Sequence, residues 1–133
     1  VVQRVADALN DRSKAVRGSR ILVLGLAYKA DVDDDRESPS YVLMQKLRER
    51  GAEVAYHDPY IPVIRPTREH PHWAGTPSVA WEESVVRGFD AVLISTAHRS
   101  VDYRQLIEWA PLIIDTRNAL AGLPSRPGQV HRA

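Results

Sequence analysis

The segment Gly25 to Ser38 gathers residue types suited to holding an anion. A glycine follows an apolar run and allows close backbone approach. Lys29 and Arg36 then precede Ser38-Pro39, which reads as a helix start with serine as N-cap and proline at the first helical position. A helix N-terminus offers open N–H groups and a partial positive charge, and Lys and Arg add charge-assisted hydrogen bonds. A phosphate or diphosphate is the natural guest; a solvated loop whose Lys29 and Arg36 pair with neighbouring aspartates is the alternative. A second cluster is Asp115-Thr-Arg117-Asn118. There Arg117 would reach an anionic ligand with Asp115 orienting it, or the four residues simply make a turn.

Other groups suggest chemistry less strongly. Asp31, Asp33, Asp34 and Asp35 are hard-cation ligands by type, but they lack the glycine and terminal glutamate of a calcium loop. A solvated loop, or aspartates organising Arg36, is the simpler reading, and no metal is expected. His70 and His72 have no third ligand nearby in sequence. His98 follows a strand end with no visible partner, and Ser95 and Thr96 lack the glycines of a nucleophile elbow. No G-x-G-x-x-G occurs, so the dinucleotide fingerprint is missing.

The elements that must position these residues are legible from periodicity. Val2, Val5, Ala6 and Leu9 form one helical stripe, predicting a helix to about Ala15 that ends near Gly18. A short continuous apolar run at 20–24 predicts a strand covered on both faces, and 53–57, 90–94 and 112–115 read as three further strands. Helices are expected from Ser38-Pro39 to Arg50, over Trp81 to Arg87, and from Asp102 through Trp109. The proline-rich stretch 60–78 reads as a long loop of the kind that is often functional. Strands alternating with helices give an α/β fold, a Rossmann-like doubly wound parallel sheet. The loops beyond the carboxyl ends of its strands, at 25–36, 58–59, 95–99 and 115–118, should meet on one edge.

At 133 residues the chain suits one domain able to bury a core unaided. A net charge of +1 gives no electrostatic footprint for nucleic acid, and no apolar run approaches membrane-spanning length. Cysteine is absent, which removes disulfides, thiolate metal sites and cysteine nucleophiles, and fits a cytoplasmic protein. The chain opens in helix at Val1 without a methionine, as expected of a domain excised from a longer protein.

Taken together, three segments resemble the UDP-glucose/GDP-mannose dehydrogenase family, specifically its C-terminal UDP-binding domain. They are Val23 to Ser40 (VLGLAYKADVDDDRESPS), Tyr56-His-Asp-Pro-Tyr60 and Ile114-Asp-Thr-Arg-Asn118, within a similarity running from Val1 to Leu120. Their details lean toward the UDP-N-acetylglucosamine or UDP-N-acetylmannosamine branch. The resemblance implies NAD-dependent oxidation of the sugar C6 alcohol to a carboxylate, through a cysteine nucleophile, in a cleft between two domains. It assigns Tyr28, Lys29 and Arg117 to the UDP-sugar and Arg36 to NAD, which binds mainly to an N-terminal Rossmann domain. Residues 1–18 would end a long central connecting helix that builds a homodimer, residues 19–121 would be the UDP-binding domain, and 122–133 a flexible tail. No catalytic residue is expected within these 133 positions.

Three alternatives stand beside this reading. One is a standalone, non-catalytic nucleotide- or phosphate-binding module. Another is a subunit-assembly domain acting through the first helix. The third is a receiver-type phosphoacceptor, which the position of the acids, well after Leu24 rather than beside it, disfavours.

Overall fold

A computed structural model describes residues 1–35, 38–66 and 70–133. The apolar runs form β1 (Arg20–Leu24), β2 (Glu53–His57), β3 (Ala91–Ile94) and β4 (Ile113–Asp115), within a residue or two of expectation. A fifth strand, β5 (Val130–Arg132), lies in the segment expected to be a tail. It pairs parallel to β4, with Ile114 opposite His131. The buried Gln129 amide donates to the carbonyls of Ile107 and Ala110 at 2.6 and 2.8 Å, clamping the chain as it enters this strand. Sequence periodicity cannot see a three-residue strand whose hold is a side-chain bond to a distant helix end.

All strand pairs are parallel, in the order β2-β1-β3-β4-β5. Side chains alternate between the two faces, as the pleat requires. Ile21 and Val23 pack with α1 (Val2–Asp11) and α2 (Pro39–Glu49) through Val5, Leu9, Tyr41, Met44 and Leu47. Leu22 and Leu24 pack on the other face with α3 (Glu83–Val86) and α4 (Tyr103–Trp109) through Val86, Leu106 and Ile107. The α/β doubly wound expectation is therefore met, with a helix preceding β1.

Local chemistry explains the helix limits. Ser38 Oγ accepts from the Ser40 amide at the start of α2, and Asp102 accepts from the Arg104 and Gln105 amides at the start of α4. The first helix stops at Asp11, short of the expected Ala15. Asn10, Asp11 and Ser13 favour local backbone bonding over helix, and Ser13 takes a left-handed φ of 59°. The described residues of the long 60–78 loop pack against the domain: Ile61, Ile64 and Trp73 are buried, and the Tyr56 hydroxyl donates to the carbonyls of Ile61 and Thr76.

Candidate functional site

The sheet order makes β1 a switch point. From β1 the chain moves outward to β2 on one side and then returns to build β3 on the other. A crevice opens above the carboxyl ends of strands at such a point. Here α2 plugs its base: the buried Ser40 Oγ donates to the Gly25 carbonyl and lies 2.6 Å from Ser95 Oγ. Gly25 (φ 90°) lets the β1 loop lie against Thr96, whose hydroxyl donates to the Ala27 carbonyl at 2.7 Å.

Asp58 organises this edge. One of its carboxylate oxygens accepts from the amides of Leu26 (2.7 Å) and Ala27 (3.1 Å), and the other from the Tyr60 amide (2.8 Å). His98 Nε2 lies 2.9 Å from the first oxygen, and both side chains are buried. The Asp31 amide donates to His98 Nδ1 at 2.8 Å, while the Asp31 carboxylate accepts from the Arg99 amide and Nε at 2.7 Å each. Hydrogen bonds from Arg99 hold the Asp31 pKa below its ordinary value, and the Arg99 pKa is raised in return. None of this was visible in sequence. His98 had no apparent partner, because the partner stands 40 positions away on the loop after β2.

Burial alone would raise the Asp58 pKa, but the hydrogen bonds from His98, Leu26 and Tyr60 outweigh it and leave the pKa lowered from 3.8. On acidification the unfolded chain binds this proton first, so the stabilisation is complete above the unfolded pKa and is lost as pH falls through the folded one. The urea midpoint is expected to drop from about pH 5 downward, with a flatter acid limb in Asp58→Asn. Parallel acid limbs for the two proteins would remove Asp58 from this role.

The expected binding residues fall in two neighbourhoods. Tyr28 and Lys29 sit exposed on the loop after β1, and among the described residues Lys29 makes no hydrogen bond or ion pair. Arg117 lies on the turn after β4, with its Nε donating to the Ser95 carbonyl at 2.8 Å. It lines a cleft of about 420 Å³ with Pro39, Val42, Leu43, Ser95 and Thr116, and an adjoining hollow of about 500 Å³ with Asp115, Asn118 and Arg132. The two loops are tied through Ser40 and Ser95, which bond to Gly25 on one side and to Arg117 on the other. Asp115 does not orient the Arg117 guanidinium. It accepts from the amides of Arg117, Ala119 and Leu120, which is the turn-forming alternative. Arg36 lies outside the described residues.

The acidic cluster is divided among separate tasks. Asp31 pairs with Arg99, while buried Asp35 accepts from the Tyr41 hydroxyl (2.6 Å) and Arg65 (3.3 Å). Among the described residues no group of three or more His, Cys, Asp or Glu is placed to hold a metal ion. His72 bonds to Gln45, and His70 stacks on Tyr41. A dinucleotide does not fit the β1 loop. The Leu26 and Ala27 amides that would cradle a pyrophosphate are already taken by the Asp58 carboxylate, whose charge repels one.

Residues 22–122 match the UDP binding domain of the UDP-glucose/GDP-mannose dehydrogenase family. The chain belongs to that family. A UDP-glucose 6-dehydrogenase of Rhizobium meliloti (strain 1021) is 36% identical over 109 residues, covering 77% of this chain and 24% of the relative. A UDP-N-acetyl-D-mannosamine dehydrogenase of Pyrococcus horikoshii is 35% identical over 109 residues, covering 78% and 23%. The solved structure of a UDP-D-ManNAc dehydrogenase from Pyrococcus horikoshii superposes with a TM-score of 0.75 at 28% identity, over 98% of this chain and 29% of that one. The chain thus spans about a quarter of the length of these family members. Among the described residues, no helix is long and apolar enough to cross a membrane.

Proposed function

We propose that this chain is the nucleotide-holding domain of a cytoplasmic NAD-dependent UDP-sugar 6-dehydrogenase, and that it binds the uridine diphosphate end of the substrate. The observation that carries this reading is Arg117, tethered beside the N-terminus of α2 on the rim of a cleft in a domain matched to a UDP-binding family. Relatives named for UDP-glucose and for UDP-N-acetyl-D-mannosamine match at 36% and 35% identity. Their common element is the nucleotide, so that is the part assigned to this domain.

In this reading Lys29 and Arg117 neutralise the diphosphate and Tyr28 contacts the nucleotide sugar. The binding energy holds the C6 alcohol near a nucleophile that these residues do not supply, since the chain has no cysteine. NAD provides the hydride acceptor and is held mainly by an N-terminal Rossmann domain, with Arg36 reaching toward it from this side. Residues 1–18 would end a connecting helix that also builds a homodimer, and residues 19–121 would form the nucleotide domain. The described residues of the site hold and orient, as a separate nucleotide-binding module would also do.

Titration calorimetry with UDP, UMP and uridine tests the assignment. Affinity is expected to fall in that order, and Lys29→Ala and Arg117→Ala should each weaken UDP binding by about 1.5–3 kcal/mol. In the complete enzyme the same loss should appear in kcat/KM for the UDP-sugar. Equal binding of UDP and uridine, or unchanged affinity in both variants, would remove the diphosphate from this edge.

A further inference from the structure

We infer that His98 is a positioning residue for the Tyr28–Lys29 loop, acting as a neutral imidazole with its proton on Nε2. The ring is fixed at both nitrogens. The Asp31 amide points its hydrogen at Nδ1 (2.8 Å), so Nδ1 serves only as acceptor, and the ring proton sits on Nε2, facing Asp58 (2.9 Å). The same Asp58 oxygen takes the amides of Leu26 and Ala27.

One buried Asp–His pair therefore grips both ends of a short loop. Residues 26 and 27 are held by the carboxylate and residue 31 by the imidazole. Between the grips stand Tyr28, Lys29 and Ala30, all exposed. Asp31 closes the loop with a left-handed φ of 62°, an uncommon conformation for a residue with a side chain, and needs outside bonds to persist there. The Tyr60 ring packs edge-on against the imidazole at 4.7 Å, and the Tyr103 hydroxyl donates to the His98 carbonyl, so the ring has little freedom to turn. Pre-ordering a loop removes part of the entropy cost of using it to bind. The link from loop order to UDP affinity rests on the function proposed above; the order of the loop itself does not.

The test uses the 133-residue chain with UDP as probe. Long-range proton–nitrogen spectra of the wild type should show the neutral Nε2–H tautomer for His98; an Nδ1–H tautomer or an imidazolium would overturn the inference. In His98→Leu, the amides of Leu26, Ala27 and Asp31 should exchange at least about tenfold faster, while β1 and β3 stay protected. UDP affinity should fall by about tenfold or more. His98→Gln, which again presents one acceptor and one donor, should restore the protection and bring UDP affinity within about threefold of wild type. Unchanged exchange at Asp31 in His98→Leu, or no rescue by glutamine, would overturn the inference. If the wild type failed to bind UDP while the exchange and tautomer results held, the nucleotide assignment would fall and the positioning role would stand.

Discussion

Replacing Asp58 with alanine is expected to destabilise the domain by about 3–5 kcal/mol, because several donors lose one shared acceptor at once. Four donors lose their acceptor together: the amides of Leu26, Ala27 and Tyr60, and the His98 imidazole. A single buried unsatisfied group costs about 1–3 kcal/mol, and water entering the cavity recovers part of the total. Urea unfolding checks this, with a lower midpoint at unchanged slope. Asp58→Asn keeps the volume and one acceptor oxygen, so its loss should be about half as large. A loss below about 1 kcal/mol for alanine would show that water satisfies these donors and that the carboxylate does not organise the edge.

The second large effect is expected at Gly25. A β-carbon there would stand 2.2 Å from the Thr96 carbonyl oxygen and 2.8 Å from Thr96 Cβ. The oxygen belongs to backbone, so relief requires β1 and β3 to part at the point where the crevice is built. The φ of 90° adds the penalty of a left-handed conformation for any residue with a side chain. About 1–2 kcal/mol from that conformation and about 1–3 kcal/mol from overpacking give an expected loss of about 2–5 kcal/mol for Gly25→Ala. Gly75 has a similar φ (82°) and nothing within 4 Å of a built Cβ, so Gly75→Ala carries the conformational penalty alone. Equal losses at the two glycines would show that the contact with Thr96 relaxes at no cost.

Much of the site was legible because it is local. The Ser38-Pro39 cap, the glycine after β1 and the Asp115 turn each declare themselves within a few residues, through hydrogen bonds that close over short loops. Lys29 was legible as part of a polar stretch between a strand and a helix, but the exposure of Tyr28 and Lys29 beside the buried Leu26 and Ala27 was not. The linked roles of Asp58, His98 and Asp31 were hidden. They belong to three different loops, and an isolated aspartate or histidine in sequence gives no sign of what it will meet. Arg117 was singled out for its charge, but its tether to Ser95 spans 22 positions and depends on β3 and β4 being neighbours.

By itself the sequence determined the alternation of strands and helices and the two-sided burial of the strands. It also determined the caps, and the edge on which the loops would gather. These follow from the periods of the two secondary structures and from turn chemistry, which act over a few residues. Only the tertiary structure decided the order β2-β1-β3-β4-β5, the recruitment of 130–132 as a fifth strand, and the use of the β1-loop amides by Asp58. The reason is physical: each of these depends on which segments become neighbours, and a buried polar group takes whatever partner packing brings within hydrogen-bonding reach.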